Sequence, residues 1–203
     1  MSAGVLIAFE GPEGSGKSTQ HRLLAEALAG TDGVVFTREP GGTELGNELR
    51  TLVLSKAYDT SALAEFLMIA ASRAQHVHEV VAPALAAGKV VITDRFSAAS
   101  EVYQGYGRGL SLDFIRQVNH EATRGIEPAL TIFFDITPAV GLARARQRAE
   151  LDRFENTELA FHERMYHGYT ELAAARAWQR VDGTGTIAEV QAAVREIVSP
   201  FLP

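Results

Sequence analysis

The stretch Gly11-Pro12-Glu13-Gly14-Ser15-Gly16-Lys17-Ser18 fits G-x-x-x-x-G-K-[ST]. It stands between the apolar run Val5-Leu6-Ile7-Ala8-Phe9 and the helix-like Thr19-Gln20-His21-Arg22-Leu23-Leu24. A strand that feeds a glycine-rich loop, which in turn opens a helix, constrains the fold more than the pattern alone does. Glycines adopt backbone conformations closed to other residues, so the N–H groups of residues 14–18 can face one concavity. Such a concavity at a helix N-terminus receives a nucleotide's phosphates. Lys17 would then reach the β- and γ-phosphates, and the Ser18 hydroxyl would sit on Mg²⁺. The plainer reading, a glycine-rich turn between a strand and a helix, fits the flanking segments less well.

The rest of the chain repeats the alternation. Short apolar runs at 5–10, 34–38, 90–94, 130–136 and 178–182 are predicted strands. Helical patterns fill 17–28, 45–54, 62–87, 112–124, 138–149, 158–176 and 187–198. Runs rich in Val, Ile, Phe and Leu suit parallel strands buried on both faces. The expectation is an α/β fold, one doubly wound domain over 1–203 with a five-stranded parallel sheet and helices on both faces. In such sheets ligands sit beyond the carboxyl ends of the strands. Three predicted strand ends carry polar residues: the phosphate loop, Thr37-Arg38-Glu39-Pro40-Gly41-Gly42-Thr43, and Thr93-Asp94-Arg95-Phe96. They should converge on one cleft.

Composition excludes several partners. A net charge of −6 gives no global positive field for nucleic acid or anionic membrane, so phosphate must be held by local arginines and backbone dipoles. With no cysteine there are no disulfides and no thiolate metal sites. No basic and apolar leader precedes the first strand and no 18-residue apolar run occurs, so the expected location is the cytoplasm.

Around the predicted cleft, Asp94 could accept from a Mg²⁺-bound water or hold Ser18 and Arg95, or merely start a turn. The planar fork of Arg95 suits a phosphate or carboxylate. Pro40 and the two glycines after it could close the chain around a ligand while Glu39 positions the metal or Arg95; a surface turn is the alternative. Arg73 emerges from the apolar Phe66-Leu67-Met68-Ile69-Ala70-Ala71-Ser72, and a cation there needs a partner: a ligand, or a carboxylate such as Glu65 or Glu101. Arg144, Arg146, Arg148 and Arg153 put four arginines in ten positions. They read either as a solvated helix end or as a lid, at about 144–156, that carries cations onto transferring phosphates.

Several motifs occur together and in order: Phe9-Glu10-Gly11, Arg38-Glu39-Pro40-Gly41-Gly42-Thr43, Ala71-Ser72-Arg73-Ala74-Gln75-His76, Asp94-Arg95-Phe96, Tyr103-Gln104-Gly105-Tyr106-Gly107-Arg108-Gly109 and Leu151-Asp152-Arg153-Phe154-Glu155. In these the chain resembles the bacterial thymidylate kinases along essentially its whole length. The resemblance implies the P-loop NTPase fold and transfer of the ATP γ-phosphate to dTMP, giving dTDP for dTTP synthesis, with Mg²⁺. It implies that Gly11, Pro12, Glu13, Gly14, Ser15, Gly16, Lys17, Ser18 and Thr19 form the ATP phosphate site. Glu13 would also meet the deoxyribose 3′-hydroxyl and Arg95 the acceptor phosphate. Asp94 and Glu39 would support Mg²⁺ with Ser18. Arg73 would donate to the thymine carbonyl, Tyr103 would pack where a 2′-hydroxyl would go, and Ser100, Gln104 and Arg38 would complete the acceptor site.

Members of that family carry a catalytic arginine either in the loop or in the lid. No arginine lies within the loop, so Arg148 and Arg153, then Arg144, are the candidates. Where the family has a base-stacking ring this chain has Ile69; Phe66, nearly one helical turn away, could substitute for the ring, or Ile69 could itself cover the base. The family is usually a homodimer packed through helices, and the apolar stretch 63–87 could supply that surface or equally be core. The alternatives are another deoxynucleotide or nucleoside monophosphate kinase, or an ATP-dependent switch module without an acceptor.

Overall fold

A computed structural model describes residues 4–147, 153–154 and 157–203. Five parallel strands lie in the order β2-β3-β1-β4-β5: β1 (Val5–Glu10), β2 (Val34–Arg38), β3 (Val90–Asp94), β4 (Leu130–Asp135) and β5 (Gln179–Asp182). The doubly wound sheet expected from the alternation is what the chain forms. β1 is central because its residues are apolar on both faces. Ile7 and Phe9 pack with Leu24 and Val194 on one side, while Leu6 and Ala8 pack with Val77, Val81 and Ala84 on the other. Full burial of each large side chain stabilises by roughly 1.5–3 kcal/mol.

The register sets the site. Phe9 lies beside Asp94, and Asp94 beside Arg38. The chain therefore leaves β1, β3 and β2 at one level of the sheet, and the three polar strand ends are neighbours, as the sequence predicts.

The helices are α1 (Lys17–Ala27), α2 (Glu44–Leu54), α3 (Ala62–His76), α4 (Ala82–Ala86), α5 (Ser97–Ser100), α6 (Leu112–Thr123), α7 (Pro138–Arg146), α8 (Leu159–Ala175) and α9 (Ile187–Val198). The predicted helix over 62–87 is interrupted by a π-helical turn, Val77–Val81, just before Pro83 in α4, which has no N–H to donate. Sequence reasoning missed α5 and the π-helical Glu101–Gly107 that continues it. Gly105 and Gly107 sit inside this helical turn because tertiary packing requires them. A Cβ on Gly105 would lie 2.4 Å from Leu112 Cδ2, and one on Gly107 2.6 Å from Phe161 Cε2. No helix among the described residues is long and apolar enough to cross a membrane.

Candidate active site

The phosphate loop is shaped by glycine. Gly11, Gly14 and Gly16 have φ of 152°, 71° and 88°, in the range that side chains disfavour. The helices α2, α3, α6 and α9 start on a Ser or Thr whose hydroxyl accepts a backbone N–H. α1 starts instead on Gly16, with no side-chain cap. Its first N–H groups stay open toward the loop, where the helix dipole favours an anion.

Five charges crowd this end of the sheet. Lys17 is buried, and its pKa is lowered by burial and then by Arg95, while Asp94, Glu13 and Glu10 oppose the shift. Burial alone would raise Glu13, but Arg95 and Lys17 overcome it and hold the carboxyl at about 2. Glu13 is thus an anion under all ordinary conditions. Its Oε1 accepts from Arg95 Nη2 at 2.8 Å and from the Tyr103 hydroxyl. Glu10, in contrast, is pushed up to about 7 by burial, against the pull of Arg95 and the Phe96 N–H. Asp94 lies below the usual carboxylate range: burial would raise it, and the nearby Lys17 and Arg95 prevail.

Ser18 donates its hydroxyl to Asp94 Oδ2 at 2.5 Å, whereas Asp94 Oδ1 is buried with no hydrogen-bond partner. An oriented hydroxyl oxygen next to an unpartnered carboxylate oxygen is a donor set that suits Mg²⁺, which takes one or two protein oxygens and completes its shell with phosphates and water. Glu39, also named as a metal residue from sequence, is placed otherwise. Its Oε2 accepts from Arg73 Nε at 2.7 Å and its Oε1 from His76 Nδ1 at 2.9 Å, so both oxygens are taken. Burial would raise Glu39, but Arg73 and His76 hold it down.

Two cavities meet at Glu13, Lys17 and Ser18. The larger, of about 860 Å³, is lined by Arg38, Ile69, Arg73, Arg95, Tyr103 and Gln104, with Ser100 and Phe154 beside them. The smaller, of about 420 Å³, runs along Gly14, Ser15, Gly16 and Thr19 to Arg144, Gly183 and Ile187. Arg144 is fixed there by donating to Gly183 O at 2.7 Å. Gly11 and Pro12 serve as framework: Gly11 O accepts from Arg95 and Pro12 O from the Ser15 N–H.

The comparisons with known proteins now bear on this geometry. The family description "Thymidylate kinase" matches residues 9–194. Among curated relatives, a thymidylate kinase of Synechococcus sp. (strain JA-2-3B'a(2-13)) is 50% identical over 202 residues, covering 98% of this chain and 96% of its own. One from Deinococcus radiodurans is 47% identical over 203 residues, covering 98% of each. The crystal structure of thymidylate kinase from Ehrlichia chaffeensis superposes with a TM-score of 0.76 at 32% identity, covering 97% of this chain and 99% of that one. The chain belongs to the thymidylate kinase family.

In this thymidylate kinase, Arg73 enters the larger cavity already held. It donates to Glu39, to Ser100 Oγ at 3.0 Å, to Asn119 Oδ1 at 2.5 Å and to Phe96 O at 3.2 Å, which leaves one Nη2 hydrogen. The partners proposed for Arg73 from sequence, Glu65 and Glu101, bind other arginines: Arg108 and Arg153 at Glu65, Arg116 and Arg176 at Glu101. Gln104 donates to Glu65 at 2.9 Å, while its Oε1 is buried without a partner at the cavity wall.

Two expectations from sequence require correction. Phe66 does not line the cavity; it packs with Ala70 and Ile115 and meets Phe114 edge-on at 5.8 Å, so it cannot stand in for a stacking ring. Arg153 turns its guanidinium to Thr60 O at 2.9 Å, Val53 O at 3.4 Å and Glu65 at 2.9 Å, where it ties its segment to α2 and α3 instead of the phosphate loop. Arg148, with 149–152 and 155–156, lies outside the described residues. Sequence reasoning also passed over Phe154 as a wall. It lines the larger cavity with Ile69 and stands edge-on to Tyr103 at 5.4 Å. Its place in the Leu151–Glu155 motif was the available signal.

Proposed function

We propose that the two cavities divide the labour of phosphoryl transfer, with dTMP in the larger and ATP in the smaller. The chain phosphorylates dTMP with ATP, and the observation that carries this assignment of sites is their junction at Glu13, Lys17 and Ser18. A phosphoryl group leaving the donor side there meets the acceptor side directly, and holding two reactants in line supplies much of the rate.

In this reading the N–H groups of Gly14 to Ser18 and the Lys17 ammonium neutralise the ATP phosphates. Arg95 takes the dTMP phosphate: its hydrogen bonds use Nη1 twice and Nη2 once, so Nε–H and a second Nη2–H remain to grip an oxyanion. Glu13, held anionic, accepts from the sugar 3′-hydroxyl. Tyr103 closes the sugar pocket, and the remaining Arg73 hydrogen faces a base carbonyl. Ile69 and Phe154 cover the base from their sides, with Ser100, Gln104 and Arg38 around it. Ser18 and Asp94 would hold Mg²⁺, which supplies charge neutralisation at the phosphates. Among the lid arginines, Arg144 stands at the donor cavity and Arg148 is the further candidate for transition-state charge.

The test is a coupled assay with ATP and Mg²⁺ across dTMP, dUMP, dCMP and GMP. We expect kcat/KM for dTMP to exceed each of the others by about tenfold or more, the discrimination that one methyl or one mismatched hydrogen bond provides. Equal rates across the panel would overturn the acceptor assignment. ATP turnover indifferent to any monophosphate would instead favour a switch.

The same chain is proposed to work as a homodimer through α3 and α6. Leu63 and Leu67 on α3 are 45% and 47% exposed, and Phe114 on α6 is 39% exposed. The Phe66–Phe114 contact joins these two helices side by side. Sedimentation should give the mass of two chains, and Leu67→Glu should shift it toward one; a single-chain mass for the unaltered protein would reject the assembly.

A further inference from the structure

Arg95 is an unusual place for a phosphate-gripping residue, because its backbone φ is +73°. Side-chain-bearing residues adopt that region only when the surroundings hold them there. The backbone around it is pinned: Arg95 N–H donates to Phe9 O at 2.9 Å, and Thr93 Oγ1 donates to Arg95 O at 2.8 Å. Two buried residues behind it, neither lining the acceptor cavity nor the donor cavity, complete the hold. Glu10, the last residue of β1, accepts the Phe96 N–H on Oε1 at 2.9 Å and the Tyr169 hydroxyl on Oε2 at 3.3 Å. The Tyr169 oxygen in turn accepts from Arg95 Nη1 at 2.8 Å.

The direction of this chain is fixed. A guanidinium can only donate, so the Tyr169 oxygen accepts from Arg95 and its own proton goes to Glu10. Burial raises the Tyr169 pKa and keeps it a phenol, even with Arg95 drawing the other way. The Tyr169 ring is itself immobilised, stacked on Phe133 with centroids 5.6 Å apart and planes 19° from parallel. Glu10 therefore holds the Asp94-Arg95-Phe96 turn twice, directly at the backbone of Phe96 and through Tyr169 at the side chain of Arg95.

We propose that Glu10 and Tyr169 are positioning residues that aim the Arg95 guanidinium at the acceptor's phosphate while touching neither nucleotide. The proposal rests on the reading of Arg95 as the phosphate grip. Without Tyr169's hydroxyl, Arg95 keeps Gly11 O and Glu13 as partners but loses the contact that ties its Nη1 to Glu10's side of the turn. The groups that face Glu10 are Arg95, Lys17 and Asp94 around the loop and Tyr169 from α8.

The experiment compares dTMP with thymidine, which lacks the phosphate, in the full-length protein. Tyr169→Phe keeps the stacked ring and removes only the hydroxyl. Losing one hydrogen bond to a charged group should raise KM for dTMP about tenfold. The inhibition constant of thymidine and KM for ATP should stay within about twofold of the unaltered protein. Arg95→Ala should raise KM for dTMP at least as much, and adding Tyr169→Phe to Arg95→Ala should cost nothing further, because the two act as one unit. Glu10→Gln, which can still accept from Phe96, should fall between the unaltered protein and Tyr169→Phe. If Tyr169→Phe weakens thymidine as much as dTMP, or leaves both unchanged, the positioning role is wrong. If Arg95→Ala itself fails to separate dTMP from thymidine, the phosphate-grip reading falls first and takes the proposal with it.

Discussion

Lys17→Ala lowers kcat by about a hundredfold to a thousandfold, with KM for dTMP changed only a few-fold. The argument is electrostatic. The Lys17 ammonium is 4% exposed and stands among Arg95, Asp94, Glu13 and Glu10, so water screens it little. Charge that shifts onto the departing phosphate oxygens during transfer meets a cation already in place. One preorganised donor of this kind contributes about 3–4 kcal/mol to the barrier. In the proposed assignment the acceptor's contacts lie on Arg95, Tyr103 and Arg73 and remain, which is why binding should change less than rate. Steady-state kinetics over both substrates, with melting curves to show the variant folded, checks it. Turnover within tenfold of the unaltered protein would remove the loop lysine from the chemistry.

Glu39→Ala is expected to lose about 3–5 kcal/mol of folding stability, the cost of leaving a buried charge without its partner. Arg73 and Glu39 are each 1% exposed at the side chain, and His76 is fully buried on the other carboxylate oxygen. Removing the carboxylate strands both partners, and with them the Arg73 contacts to Ser100 and Asn119. A loss of that size is a large share of the 5–15 kcal/mol that holds an ordinary domain together. Urea denaturation measures it. A variant as stable as the parent but inactive would return Glu39 to the metal role suggested by its sequence.

These two residues also mark how far the sequence could be read. Lys17 was legible because its neighbours in the chain are its neighbours in space: strand, loop and helix are contiguous. The same holds for Asp94 and Arg95, which follow an apolar strand directly. Glu39 and Arg73 are 34 positions apart, and no periodicity announces that pairing. Sequence supplied the right question, that a cation in an apolar helix needs a partner, but offered Glu65 and Glu101. Each of those is committed to two other arginines: Arg108 and Arg153 at Glu65, Arg116 and Arg176 at Glu101. The helical run through Glu101–Gly107 was hidden for the same reason: its glycines answer to Leu112 and Phe161 across the packing, not to their own helix.

One contact bears on how this kinase could be altered. A Cβ on Gly14 would lie 2.1 Å from Gly141 O, and a Cβ on Gly141 would lie 2.2 Å from Glu13 O. The phosphate loop and the start of α7 therefore touch backbone to backbone, with no room for a side chain on either. Two positions 127 apart behave as a single site of intolerance, in which alanine at one cannot be rescued by anything at the other. A mutational library aimed at donor preference should leave both alone and vary Thr19, Arg144 and Ile187 instead. The helix that delivers Arg144 is in this sense part of the loop, and its register to Gly14 is set by backbone alone.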